Sequence, residues 1–141
     1  MIAAFVLNAV LVAITVLIHF EVLNMLSLIT PKIPIKHRLR VLVGVSGALM
    51  AHVFEIFVFA LGYYFMVYHA GYGTLVGRFD NSLMDCVYFS FVNFTTLGFG
   101  DIVATGDIRF LTGLEALTGF VLITWTASFM FVEMEKQWKY R

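Results

Sequence analysis

Three apolar stretches, each long enough to cross a lipid bilayer, constrain this chain more than any other feature of its sequence. They cover Ile2–Ile29, Leu39–Tyr68 and residues 110–132. A helix of about 20 residues spans the hydrocarbon core of a membrane. The composition agrees, because 61% of the residues are apolar and only 13% are charged, whereas soluble domains are roughly half apolar and a quarter charged. The sequence therefore predicts an all-α integral membrane protein with three transmembrane helices.

Basic residues cluster in two places that the three spans put on one side of the membrane. The first is a loop over residues 30–40, where Pro31 and Pro34 break the helix. The second is the C-terminal tail. An excess of Lys and Arg marks the cytoplasmic side, so we expect a cytoplasmic C-terminus and an N-terminus outside. The basic residues concerned are Lys32, Lys36, Arg38, Arg40, Lys136, Lys139 and Arg141.

Charge and cysteine content exclude several classes of partner and site. The formal net charge is +0, so the chain lacks the basic surface that nucleic acid requires. Cys86 is the only cysteine, which excludes an intrachain disulfide and a zinc site built from cysteines. We therefore expect the lipid bilayer, and not nucleic acid, to surround this protein.

A fourth apolar stretch, residues 83–95, is too short to cross the bilayer. Its 13 residues span about half of the hydrocarbon core. Ser82 and Asp85 resemble a capping box at its start, and a glycine-rich segment follows its end. Non-helical backbone at membrane depth is tolerated only inside protein or along water. The sequence therefore predicts a re-entrant pore helix over residues 82–95 followed by an extended loop.

The segment Thr96-Leu97-Gly98-Phe99-Gly100-Asp101 resembles the selectivity filter of potassium channels, commonly Thr-Val-Gly-Tyr-Gly-Asp. In layout the resemblance covers about residues 39–132. Its alternating glycines permit backbone angles that other residues avoid, so that carbonyls can form a ladder. The resemblance implies that Thr96, Leu97, Gly98 and Phe99 supply carbonyls that replace the hydration shell of K⁺, with Gly100 completing the filter and Asp101 at the outer mouth.

The resemblance also implies an assembly and a division of the chain. One filter motif per chain requires four chains, hence a homotetramer. Residues 1–38 would form an N-terminal transmembrane helix and basic loop. Residues 39–141 would form the pore domain, with outer helix 39–68, pore helix 82–95, filter 96–101 and inner helix 109–133. We expect a K⁺-selective passive channel of a bacterial plasma membrane, with K⁺ as the permeating species and no organic cofactor; the sequence does not indicate a separate regulatory subunit.

The motif departs from the common pattern and leaves alternatives open. Phe99 lacks the bracing hydroxyl of the usual Tyr, and Leu97 replaces a β-branched residue. A weakly selective cation channel, a partner subunit without a pore, and a glycine-rich loop that binds no ion remain alternatives. The pattern Gly-x-Gly-Asp, here residues 98–101, also occurs in intramembrane aspartyl proteases, which need a second acid to share a proton. Glu55 and Glu115 are intramembrane acids, but the Tyr-Asp partner motif of those enzymes is absent.

The third span contains a glycine and an apolar stripe that the resemblance connects with gating. Gly119 matches the hinge glycine of the inner helix, with close helix packing as the alternative. One helical face from there onward would line the pore or pack against the second helix, and its last residue could narrow the inner mouth. This stripe consists of Phe120, Ile123, Ala127 and Phe131.

Four ionisable residues within the spans are expected to face protein, because facing lipid costs a few kcal/mol. We expect Glu115 to brace the pore helix, through Asn93 or Tyr88. His19, His52 and Glu55 should meet between the first two helices, as interhelical hydrogen bonds or as a proton-sensitive gate. No Arg-rich helix is present, so no voltage sensor is expected.

Overall fold

Four helices form the body of the molecule, and three of them are apolar and long enough to cross a membrane, as predicted. The computed structural model describes residues 2–69 and 71–138; Lys139 and Arg141 of the predicted basic tail lie outside these residues. A 3₁₀ turn at Thr30–Lys32 follows the first helix. The helices are α1 (Ile2–Ile29), α2 (His37–Tyr68), α3 (Leu83–Phe94) and α4 (Ile108–Trp138).

A two-stranded antiparallel sheet corrects the all-α prediction. Strand β1 (Leu75–Gly77) precedes α3, strand β2 (Ile102–Ala104) follows the filter segment, and Gly77 is opposite Ile102. Three-residue strands are too short to produce the alternating pattern by which strands are recognised. At Gly77, which has φ of 112°, an added Cβ would lie 2.2 Å from the carbonyl oxygen of Asp101, so a glycine is needed for the two segments to pair.

Helix α1 packs against the other helices through one continuous stripe. Its buried residues recur every three or four positions, which places them on one helical face. Two glycines of α2 receive leucines of this stripe: an added Cβ would lie 2.6 Å from Leu26 at Gly47, and 2.5 Å from Leu11 at Gly62. The stripe consists of Ala4, Asn8, Leu11, Thr15, His19, Leu23 and Leu26.

The short helix α3 packs between α2 and α4. Its start is capped as predicted, because the Asp85 N–H donates to Ser82 Oγ at 3.0 Å. It ends at Phe94, whose side chain is fully buried and packs on Phe59 of α2 with 6.4 Å between ring centroids. Its C-terminus therefore lies inside the helix bundle, which fixes where the next segment begins.

Candidate ion pathway

The sign of the backbone angle φ alternates along residues 96–100. Thr96, Gly98 and Gly100 have φ of 59°, 58° and 78°, while Leu97 and Phe99 do not have positive φ. Alternation of left- and right-handed residues collects N–H groups on one side of a chain, and the carbonyls of the same peptides then face the other side. The glycine pattern predicted this freedom at Gly98 and Gly100. It did not predict it at Thr96, a β-branched residue for which positive φ is a genuine outlier.

The N–H groups at the start of this segment are bonded to the end of α3. Thr96 N donates to the carbonyl of Asn93 at 2.9 Å. Leu97 N and Gly98 N both donate to the carbonyl of Val92, at 2.9 and 3.3 Å. The C-terminal end of α3 thus holds the first three N–H groups of the segment.

Asp101 accepts hydrogen bonds at its carboxylate and at its backbone carbonyl. The Tyr88 hydroxyl donates to its carboxylate at 2.9 Å, and this hydrogen bond raises the pKa of the Tyr88 phenol above its ordinary value. The Asp101 carbonyl accepts from the N–H of Arg78 at 2.9 Å, next to Gly77. The predicted outer-mouth residue is therefore connected to both α3 and the small sheet, a role for Gly77 and Arg78 that a sequence pattern does not indicate.

The predicted inner-helix stripe lies on a face of α4 that no other part of the described chain covers. Phe120, Ile123, Ala127 and Phe131 are all exposed. None of the four is therefore buried by α2 of the same chain, the helix against which they were alternatively expected to pack. Their role as pore lining remains a prediction.

Gly119 lies where α4 crosses the end of the pore helix. An added Cβ would come within 2.2 Å of the Phe94 carbonyl oxygen. The glycine thus permits a close approach between α4 and the backbone that leads into the filter segment. A hinge function at Gly119 remains a prediction beside this observed packing.

Glu115 braces the pore helix, but its partners differ from those expected. It is fully buried and accepts hydrogen bonds from the hydroxyls of Tyr63 on α2 and Ser90 on α3. Asn93 instead donates to the carbonyl of Phe89, one turn earlier in its own helix. The expectation that Asn93 or Tyr88 would bond Glu115 was wrong. Counting residues along a helix gives the depth of a residue in the membrane but not the direction in which its side chain points.

The three residues expected between the first two helices do meet. His19 Nδ1 and His52 Nδ1 lie 2.9 and 2.8 Å from the two carboxylate oxygens of Glu55. A fourth member from α4 was missed: Thr126 Oγ1 lies 3.1 Å from His52 Nε2 and 3.5 Å from His19 Nε2. No sequence signal distinguishes Thr126 from the other threonines of α4, whose hydroxyls bond carbonyls of their own helix.

Comparison with known proteins assigns the chain to a family. A family model described as an ion channel matches residues 51–136, which is more than half of the chain and includes the pore helix, the filter segment and most of α4. No curated protein and no solved structure matches the chain. Helix α1 lies outside the matched region. The chain therefore belongs to this ion channel family, whose model corresponds to a pore domain of the two-helix potassium-channel type.

Proposed function

We propose that four copies of this chain form a pore that conducts K⁺ selectively and passively across a bacterial plasma membrane. The observation that carries the proposal is the alternating hand of the backbone at Thr96, Gly98 and Gly100. Four such segments around an axis would present rings of carbonyl oxygens, which are the groups that replace the water around K⁺ in potassium channels. Thr96 to Phe99 would contribute these carbonyls, and Asp101 would lie at the outer entrance.

The exposure of the filter side chains supports assembly from several copies. Leu97 and Phe99 are 62% and 65% exposed in the single chain, on non-helical backbone. Irregular backbone is not tolerated against lipid, since unpaired N–H and carbonyl groups cannot be satisfied there. Further copies of the same chain would cover these residues, and the exposed stripe of α4 would then line the passage below the filter.

A weakly selective cation channel is the second candidate, because Leu97 and Phe99 depart from the common filter sequence. Two features favour selectivity. The first is the pair of hydrogen bonds from Leu97 and Gly98 to Val92, and the second is the bond from Tyr88 to Asp101. Both hold the backbone of the proposed filter against α3, so this backbone does not depend on a hydroxyl at position 99 alone. Phe99→Tyr is therefore expected to leave the preference for K⁺ over Na⁺ unchanged.

The protease alternative finds little support in the surroundings of the acids. That chemistry needs two carboxylates that share a proton across one site. Asp101 is bonded to Tyr88, Glu115 to Tyr63 and Ser90, and Glu55 to two histidines. Each acid is thus engaged with groups other than a second carboxylate, and membership of an ion channel family points to transport.

The deciding experiment measures reversal potentials of the purified protein in liposomes or planar bilayers under opposed K⁺ and Na⁺ gradients. We expect the potential to follow the K⁺ gradient. A reversal potential near zero would favour the weakly selective channel. An absence of ion flow, with a stable tetramer present in the membrane, would contradict the proposal.

A further inference from the structure

A buried polar cluster joins α1, α2 and α4, and its His52 ring packs against Phe94 at the end of α3 with 5.7 Å between ring centroids. His19 and Glu55 are fully buried, and the His52 side chain is 12% exposed. The two imidazole rings stack with 5.3 Å between centroids. Each ring turns Nδ1 toward a different oxygen of Glu55, and each turns Nε2 toward the single hydroxyl of Thr126. The rings therefore bridge a carboxylate on one side and a hydroxyl on the other.

We propose that His19, His52, Glu55 and Thr126 form a proton-binding site that holds one extra proton, shared by the two histidines through the Thr126 hydroxyl. The carboxylate of Glu55 has two oxygens, and each accepts one Nδ1–H. The remaining question is what the two Nε2 atoms carry. Thr126 offers one O–H donor and two lone pairs, so it can bond both rings when one or both Nε2 atoms are protonated, but not when both are acceptors.

Counting hydrogens distinguishes the three protonation states. With two neutral rings, both Nε2 atoms are acceptors and Thr126 can donate to only one, which leaves a buried acceptor without a partner. With one imidazolium, its Nε2–H donates to Thr126 Oγ1 while the Thr126 hydroxyl donates to the other ring, so every group is satisfied. With two imidazolium rings, both Nε2–H groups can donate to Thr126 Oγ1, but the Thr126 hydroxyl hydrogen then needs an acceptor outside the two rings. Unsatisfied buried polar groups are unfavourable, so hydrogen bonding disfavours two neutral rings, and one imidazolium is the state in which Thr126 bonds both rings without needing another acceptor.

The charges give the same answer. One imidazolium balances the single negative charge of Glu55, and a neutral cluster is the least costly one to bury among apolar helices. The other elements that pack here contribute no ionisable side chain to the contacts: α4 brings Thr126 and the ring of Trp125, and α3 brings the ring of Phe94. Among the residues that the structure describes, the titratable groups that face one another here are therefore His19, His52 and Glu55.

A divalent metal ion is the competing occupant. Single atoms of His19, His52 and Glu55 lie within 4.8 Å of one another, a separation that a coordinated ion could bridge. Such an ion would leave a net positive charge next to one carboxylate, in a region where uncompensated charge is unfavourable. It would also have to break the two hydrogen bonds to Glu55, whereas a proton completes the set of hydrogen bonds already present. These two differences favour the proton.

Binding of one proton predicts a response to pH in two steps. Histidine ordinarily titrates between pH 5 and 8, and strongly interacting rings titrate as a pair. The cluster should gain a second proton in acid and lose its extra proton in alkali, and each change should alter the hydrogen bonds between Thr126 and the rings. If the chain conducts as proposed above, conduction should change on both sides of a neutral range, because Thr126 lies on the inner helix.

The test counts protonated ring nitrogens by ¹⁵N NMR of histidine-labelled protein in lipid nanodiscs. His37→Gln and His69→Gln leave only the signals of His19 and His52. We expect three of the four ring nitrogens to be protonated near neutral pH, four in acid and two in alkali. Two protonated nitrogens throughout pH 5–8 would overturn the proposal. So would added Zn²⁺ that displaces ring protons at stoichiometric concentration, since the cluster would then be a metal site.

Thr126→Val tests the shared hydroxyl at nearly constant volume. It should narrow the pH range over which three ring nitrogens are protonated, because the imidazolium loses its acceptor. Thr124→Val is the matched control, since the Thr124 hydroxyl bonds only carbonyls of its own helix, at 3.0 and 2.9 Å, and it should leave both steps unchanged. Identical titration of the wild type and Thr126→Val would refute the sharing of the proton. If no ion flows at any pH, the proposed conduction fails while the nitrogen count still decides the site.

Discussion

Replacement of Gly98 by alanine tests the filter assignment directly. An added side chain could act through a steric clash or through the backbone conformation, and the structure distinguishes the two. Gly98 has φ of 58°, and an added Cβ would meet no atom within 4 Å. The cost is therefore conformational and not steric. A residue with a Cβ in the left-handed region costs about 1–2 kcal/mol, and four copies around one pore would raise this to about 4–8 kcal/mol.

The expected result is loss of selective conduction without loss of the protein. A penalty of that size disfavours the conducting backbone by about three to six orders of magnitude relative to a relaxed one. The segment can relax locally, since α3 and α4 are anchored by contacts that do not involve position 98. We therefore expect Gly98→Ala to reach the membrane as a tetramer and to show either no K⁺ current or a reversal potential displaced toward zero.

Gly113→Ala is the matched control for this experiment. Gly113 lies within α4, its φ is in the ordinary helical range, and an added Cβ there also meets no atom within 4 Å. Alanine in a helix interior is favoured over glycine by about 1 kcal/mol, so this variant should conduct normally. A Gly98→Ala channel with wild-type preference for K⁺ over Na⁺ would refute the reasoning, because the alternating backbone would then not be required for selectivity.

Three further variants test packing, bracing and topology. Gly119→Ala should lower the melting temperature, since its Cβ overlaps the Phe94 carbonyl and such overpacking costs about 1–3 kcal/mol; a stable tetramer with altered opening would instead favour a hinge. Glu115→Leu should destabilise each subunit by about 1–3 kcal/mol, because the buried Tyr63 hydroxyl loses its acceptor, and an unchanged melting temperature would contradict this. Lys36→Cys should react with an impermeant thiol reagent only from the cytoplasmic side, and labelling from outside would reverse the proposed topology.

The features that could be predicted from the sequence are those that depend on composition and on local patterns. Long apolar runs predict the three spans because the bilayer imposes one length on any helix that crosses it. The cap at Ser82 predicts the start of α3 because the hydrogen bond is formed within four residues. The left-handed backbone at Gly98 and Gly100 follows in the same way, from two glycines in the segment after the short apolar run 83–95.

The features that could not be predicted depend on how helices rotate about their axes. Counting residues from the loop between the first two spans predicted that His19 lies at the same depth as His52 and Glu55. Only the packing of the helices shows that the Thr126 hydroxyl points toward both rings. The same limit led to the wrong partners for Glu115. The left-handed backbone of Thr96 was missed for a different reason, since nothing in the identity of a threonine indicates a conformation that it usually avoids.

Two buried carboxylates at different depths each join three helices, and this arrangement connects the proton-binding site with the filter. Glu115 joins α2, α3 and α4, whereas Glu55 joins α1, α2 and, through the histidines, Thr126 of α4. Glu115 and Thr126 are separated by eleven positions on one helix, or about 16 Å. Helices α2 and α4 take part in both clusters, so we expect a shift of α4 that breaks the Thr126 contact to alter the hydrogen bonds of Glu115 to Tyr63 and Ser90 as well. Helix α1, which holds His19, would thereby influence the proposed filter through α4.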